Sequence, residues 1–172
     1  YMEKIKLALN STEENKLPSN IEAEQSLIGS VLVNNDIIDE ISNIVNAGKF
    51  FDPVHRKIYE VVENLNNKGM IANPITLKNY FENDSGLSEV GGADYLIKLT
   101  RFSSSIKQAI DYAKIIHEMY VKRELIFISD DVSGQAKDDQ AEKTGENIIE
   151  DAEKSLFDLA ERGNFSQTFL KF

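Results

Sequence analysis

Two histidines are the natural starting point for chemistry in this chain, and neither belongs to a set that completes a reaction site. His117-Glu118 opens like a helical zinc-peptidase signature, where a second histidine four residues on supplies the next ligand from the same face; Val121 stands there instead. His55 follows Asp52-Pro53 in the first turn of an expected helix, and its expected role is a half-buried imidazole hydrogen-bonding across the fold. Gly86 and Gly91 have the spacing of a phosphate loop, but Gly92-Ala93 replaces the Lys–Ser/Thr pair that meets phosphate and magnesium. Asp130, Asp131, Asp138 and Asp139 lack the glycine and terminal glutamate of a calcium loop and read as a solvated face. Ser103-Ser104-Ser105 has no histidine close in sequence, so a helix cap is the better role than a nucleophile. Without cysteine, disulfides and thiolate metal sites drop out. No catalytic, cofactor-binding or metal-binding residue is assigned.

Charge narrows the partners. Asp and Glu number 29 against 19 Lys and Arg, a formal net charge of −10 that on average repels a phosphate backbone. Direct nucleic-acid binding is therefore not expected, and the acidic surface suits solubility or a basic protein partner better. No apolar run approaches the roughly 20 residues a membrane helix needs, so no membrane association is expected. The absence of cysteine fits a cytoplasmic location.

The elements that would position any site read as helices throughout. Residues 1–17 look like a flexible tail, with Tyr1 ahead of Met2 as an appended remnant. Ser19 or Asn20 can cap a first helix, Ser19 and Glu22 having capping-box spacing, and Leu27, Ile28, Val31 and Leu32 give it one apolar face. A short helix spans 36–45, ending by Gly48. Asp52-Pro53 starts a third, with Ile58, Tyr59, Val62 and Leu65 inward and Gly69 as the stop. Asn73-Pro74 precedes a short helix at 76–82, Gly86 marks a turn, and Gly91-Gly92 opens a helix carrying Tyr95, Leu96 and Leu99. Residues 105–138 hold no proline and one glycine, which predicts one long helix. Its apolar residues form two stripes, Ala109-Ala113-Ile116-Tyr120 and Val121-Leu125-Ile128-Val132, and one neighbour covers only one of them. Thr144 caps a last helix bearing Ile148 or Ile149, Ala152, Leu156 and Leu159 and ending at Gly163. The fold class is all-α: a compact multi-helix globular head at 18–104, then a long antiparallel helical hairpin at 105–163.

Several stretches resemble one family, the N-terminal domains of bacterial replicative DnaB helicases. They are Leu17-Pro18 through Glu22-Ala23-Glu24-Gln25 to Gly29, Phe50-Phe51 with His55-Arg56-Lys57-Ile58-Tyr59, and Pro74-Ile75-Thr76-Leu77. Val90-Gly91-Gly92-Ala93-Asp94-Tyr95-Leu96, Tyr112-Ala113-Lys114-Ile115-Ile116 and Lys122-Arg123-Glu124-Leu125 follow in the family's order. The resemblance covers about residues 17–163.

It implies a non-catalytic collar for DNA replication. Hairpins of neighbouring subunits would pair into dimers, three dimers would make a ring, and the collar would dock primase and respond to the helicase loader. ATP and magnesium would belong to a motor domain beyond this stretch, with 164–172 starting the linker to it. For self-association the candidates are Ile116, Tyr120, Ile128 and Leu156, with the intramolecular hairpin seam as the competing assignment. For primase docking the matched motifs suggest Glu22 and Tyr95, with Ile126 and Val132 on the hairpin; burial in the head core is the alternative for Tyr95. A stand-alone acidic helical adaptor for a basic protein, and a small hydrolase built on an unrecognised carboxylate pair, are the rival readings.

Overall fold

A computed structural model describes residues 1–5, 16–140 and 142–162, and all regular structure among them is helical. Two compact units divide the chain. One is Ser19–Glu118; the other combines the described residues up to Pro18 with those from Met119 onward.

In the first unit, helix α1 (Ile21–Val33) starts where Asn20 Oδ1 accepts the Ala23 N–H at 2.9 Å. The expected Ser19 box gives way to this neighbour, and Glu22 and Glu24 sit in the first turn, where the dipole favours carboxylates. Helix α2 (Ile37–Ile41) is shorter than expected, running on as hydrogen-bonded turns to Val45 before a 3-10 turn at Ala47–Lys49. Helix α3 (Pro53–Asn67) begins as its sequence demands: Asp52 accepts from Val54 N at 2.8 Å and proline occupies the first position. It ends in a Schellman motif, with Met70 N donating to Leu65 O, Gly69 N to Asn66 O, and Gly69 at φ +72°. Ile58, Tyr59, Val62 and Leu65 are all buried, as their spacing predicts.

Helix α4 (Pro74–Lys78) carries a complete capping box between Asn73 and Thr76 and passes into a 3-10 turn at Asn79–Phe81. Gly86 does not mark a turn. It lies inside helix α5 (Ser85–Glu89), because Asp84 takes the Leu87 N–H and starts a helix one residue before the glycine. Gly92, at φ +67°, then delivers the chain into helix α6 (Ala93–Thr100).

Helix α7 (Ile106–Lys137) is the expected long helix, capped by Ser105 Oγ, which accepts from Gln108 N. The division between units falls inside it, at Glu118/Met119, and not at 104/105. Ala109, Ala113, Ile116 and His117 are buried, and His117 Nδ1 lies 3.1 Å from Lys49 Nζ, so the first turns of α7 are part of the head's core.

In the second unit, helix α8 (Gly145–Arg162) is capped by Thr144, whose Oγ1 accepts from Asn147 N. Its last residue reaches α7, where Arg162 Nη1 donates to Tyr120 Oη at 2.8 Å. Gly163 and the expected linker at 164–172 lie outside the described residues. The expected loose tail holds at neither described end: Ile5 and Leu17 are buried. Arg123, fully buried, donates to Tyr1 Oη and to Pro18 O, which explains their order. Residues 6–15 lie outside the described residues.

The tightest packing in the head is backbone on backbone. A Cβ at Gly29 of α1 would stand 1.9 Å from the Leu99 carbonyl oxygen of α6, an atom that no side-chain rotation can move. Gly29→Ala is therefore expected to destabilise the head by about 3 kcal/mol or more in urea unfolding, at the upper end of overpacking costs. An unchanged midpoint would show that the two helices separate freely. Tyr59 offers a contrast. Its hydroxyl is buried without a partner among the described residues, and that burial, with Glu63 nearby, pushes its ionisation far above the tyrosine range. Tyr59→Phe is expected to leave stability equal or raised by about 1 kcal/mol, since it removes an unsatisfied buried hydroxyl and keeps the ring.

Candidate partner-docking site

The most concentrated chemistry in the head is a buried polar chain linking three helices. It starts at Glu24 of α1, a carboxylate at a position almost fully closed to water. Such a charge is tolerated only when its lone pairs are met by donors. Glu24 Oε2 accepts the Phe51 N–H at 2.7 Å, and Oε1 accepts the Asp52 N–H at 3.2 Å and faces His55 Nδ1 at 2.9 Å. Glu24 thereby ties down the loop that launches α3. His55 Nε2 lies 2.7 Å from Tyr95 Oη of α6, and Gln25 Nε2 of α1 donates to that same hydroxyl at 3.2 Å.

The direction of each link follows from the first. Glu24 already collects two backbone N–H groups, so it acts as an acceptor and the His55 Nδ1 donates to it. In the neutral ring Nε2 then accepts from the Tyr95 hydroxyl, and that hydroxyl is left as an acceptor for Gln25. Burial pushes the Tyr95 phenol up; the Gln25 hydrogen bond opposes this, while the Asp52 and Glu24 carboxylates add to it. No reaction follows from this arrangement. Tyr95 is 8% exposed and His55 fully enclosed, so neither meets a substrate. Among the described residues no group of histidine, cysteine or carboxylate side chains could hold a metal ion.

The residues proposed from sequence fall into different places. Glu22 is exposed on α1 and accessible to a partner. Tyr95 does not present an open aromatic surface, and its hydroxyl is engaged inside the head, because His55 and Gln25 both bond to it. Ile126 and Val132 are half-buried on α7. Of the self-association candidates, Ile116 and Tyr120 are already covered within one chain, the Tyr120 hydroxyl by Arg162. Ile128 is half-buried and Leu156 is exposed. The sequence reading missed the Glu24–His55–Tyr95 chain and cast His55 as half-buried. A signal was present: Glu24 stands at i, i+3, i+4, i+7 with Leu27, Ile28 and Val31, and His55 likewise with Ile58, Tyr59 and Val62. Polar residues inside the apolar stripes of two helices need buried partners, and each is one of the other's.

These features describe an all-helical domain with a buried polar strut. Residues 16–118 match the family model of the DnaB-like helicase N-terminal domain. The chain is 41% identical over 155 residues to the replicative DNA helicase DnaB of Rickettsia bellii and 33% identical over 148 residues to that of Pasteurella multocida. These alignments take in 90% and 84% of this chain and 31% of each relative, so the chain spans about a third of their length. The crystal structure of the N-terminal domain of DnaB helicase from Mycobacterium tuberculosis has the same fold, with a TM-score of 0.75 at 24% identity over 83% of this chain and 99% of that one. A structure of a DnaB-like replicative helicase and its interactions with primase matches with a TM-score of 0.64 at 22% identity, over 81% of this chain and 31% of that one. The chain belongs to the DnaB-like helicase N-terminal domain family.

Two substitutions test the strut. Glu24→Gln places an N–H₂ among three donors and is expected to lower the unfolding free energy by about 3 kcal/mol, whereas Tyr95→Phe loses about 1 kcal/mol. Equal small losses would mean that the carboxylate is not the anchor. The raised Tyr95 ionisation has a definite sign: the neutral phenol stabilises the fold fully below the ordinary tyrosine value of 10.0, and this contribution fades as pH rises beyond it. Tyr95→Phe should therefore lose less stability between neutral and strongly alkaline pH than the parent chain in parallel urea titrations.

Proposed function

We propose that this chain is the collar of a hexameric replicative DNA helicase, where it pairs subunits and holds partner proteins at the replication fork. The observation that carries the assembly reading is a surplus of apolar surface on α8. Ile149 is 59% exposed, Leu156 45% and Phe157 64%, while Leu125 on α7 is also exposed. On an amphipathic helix that has already buried Leu159, three large apolar side chains in water call for a second covering surface. A second copy of the chain is the occupant in this reading. Pairs would assemble as a trimer of dimers in the ring.

Docking of primase and of the helicase loader completes the proposal. Tethering primase to the collar raises its local concentration at the fork without any chemistry by the collar itself. The net charge of −10 supports basic protein partners and disfavours direct contact with nucleic acid. ATP binding, with magnesium, and DNA unwinding would be the work of a motor domain elsewhere in the parent protein, acting in the cytoplasm. No helix among the described residues is long and apolar enough to cross a membrane.

Sedimentation equilibrium tests the assembly. The chain is expected to dimerise, and Leu156→Glu combined with Phe157→Glu to shift it to monomer with unchanged helical circular dichroism. Ile116→Glu is expected to unfold the head instead, since Ile116 is buried within one chain. A parent chain that stays monomeric at high concentration, or a double variant with unaltered mass, overturns the α8 interface.

A further inference from the structure

Helix α8 is held to α7 unevenly along its length. At 3.6 residues per turn its inward line is Ile148, Ala152, Ser155 and Leu159. Leu159 is buried, whereas the other three are only half-buried. Ala152 and Ser155 are also small and bring little apolar area to the seam. The larger Ile149 and Leu156 sit about 80° and 60° round the helix from Leu159, and both are exposed. A cleft of about 790 Å³ is lined by Phe127, Ile128 and Gly134 of α7 and by Ser155, Asp158 and Arg162 of α8. A Cβ added at Gly134 would meet nothing within 4 Å, so α8 does not close on the α7 backbone there.

The polar ties are just as uneven. Arg162, the last residue of α8, donates from Nη1 to Tyr120 Oη at 2.8 Å, and the same nitrogen lies 3.8 Å from Glu124 Oε1. The Tyr120 hydroxyl in turn hydrogen-bonds the Glu124 carboxylate, one turn on along α7. Both α7 partners are largely shielded from water, Tyr120 being buried and the Glu124 side chain 15% exposed. Among the described residues no hydrogen bond or ion pair joins 145–161 to α7. Lys143 pairs with Asp151 at 2.8 Å, but that tie lies within the connection and α8 itself.

We infer that α8 is a tethered arm: it is anchored on α7 at its last turn, by Leu159 and a clasp of Arg162, Tyr120 and Glu124, and its length from Gly145 to Ser155 swings about that anchor. This reverses the usual order in a helical hairpin, where the ends beside the connection are restrained and the open ends fray. Here the open end carries the one buried apolar side chain and the clasp, and the end beside the connection carries neither. The motion does not depend on the assembly reading. Under that reading it would let Ile149 and Leu156 turn toward a second copy while Leu159 stays seated.

Amide hydrogen exchange along α8 tests the arm, read at two protein concentrations so that shielding by a second copy shows as a concentration dependence. In the dilute sample the amides of 158–162 are expected to be protected about tenfold or more over those of 149–154. Arg162→Met keeps an unbranched stem and removes the donors; it should cut protection at 158–162 about tenfold and leave 149–154 as they were. Tyr120→Phe leaves the charge at the helix end in place and removes its acceptor, so it should act in the same direction, about three- to fivefold. Amides of α7 from 109 to 117 should keep their protection in both variants. Equal protection along α8, or greater protection at 149–154, overturns the arm. An unaltered last turn in both variants shows that the clasp is not the anchor, and loss of protection through α7 as well makes Arg162 a general stabiliser and overturns it equally.

Discussion

Glu24 brings a negative charge into a part of the head that water does not reach, and a carboxylate there is tolerable only inside a closed set of donors. Two of those donors are backbone N–H groups of Phe51 and Asp52, just before α3, and the third is the ring of a residue in its first turn. One side chain of α1 thus dictates where α3 starts and how it is rotated. Through His55 the same demand extends to α6. An apolar contact would tolerate sliding by a fraction of an ångström at little cost. A charged acceptor with fixed donor directions does not, since each displaced donor leaves a buried polar atom unmet.

The close approach at Gly29 works on the same pair of helices from the opposite direction. The strut pulls α1 and α6 into register through side chains, while Gly29 lets their backbones meet at the Leu99 carbonyl. Ser30, the next residue, uses its hydroxyl to accept from Ser104 N, so the entry to α7 is set from α1 as well. Three successive types of contact on one helix (ionic, backbone, hydroxyl) explain why α1 is the member around which the head is arranged.

What was legible in the sequence was local. Asp52-Pro53, Gly69, Gly92 and the serine run before α7 each act within four residues of themselves, so the chain's own chemistry decides them. The position of Gly86 was misjudged because Asp84 outcompetes a glycine's preference by supplying a cap. The strut was harder to see, since its members are 31 and 40 residues apart and three-dimensional closure decides their pairing. Its trace lay in polar residues occupying apolar stripe positions. Arg123, between Tyr120 and Phe127 on α7, repeats that pattern and is likewise buried and bonded.

The apolar excess expected in the C-terminal helices is divided between the two of them. Ala109 and Ala113 are small enough for α7 to enter the head, which consumes Ile116 as well, and Arg162 seals the Tyr120 hydroxyl. The unspent surface lies on the second stripe of α7, where Leu125 is exposed, and on α8, where Leu159 alone turns fully inward. Carboxylates surround Phe157: Glu146, Glu150, Glu153 and Glu161 lie within about 40° of it at 3.6 residues per turn, while Ile149 and Leu156 lie about 80° and 100° away. Two such edges cannot meet face to face without placing like charges together. In the proposed dimer a second copy would therefore approach with the helices offset or crossed, so that Ile149 and Leu156 meet apolar surface while the glutamates around Phe157 remain in water. Charge around Phe157 would thereby select the geometry of the proposed pairing, and apolar area would supply its strength.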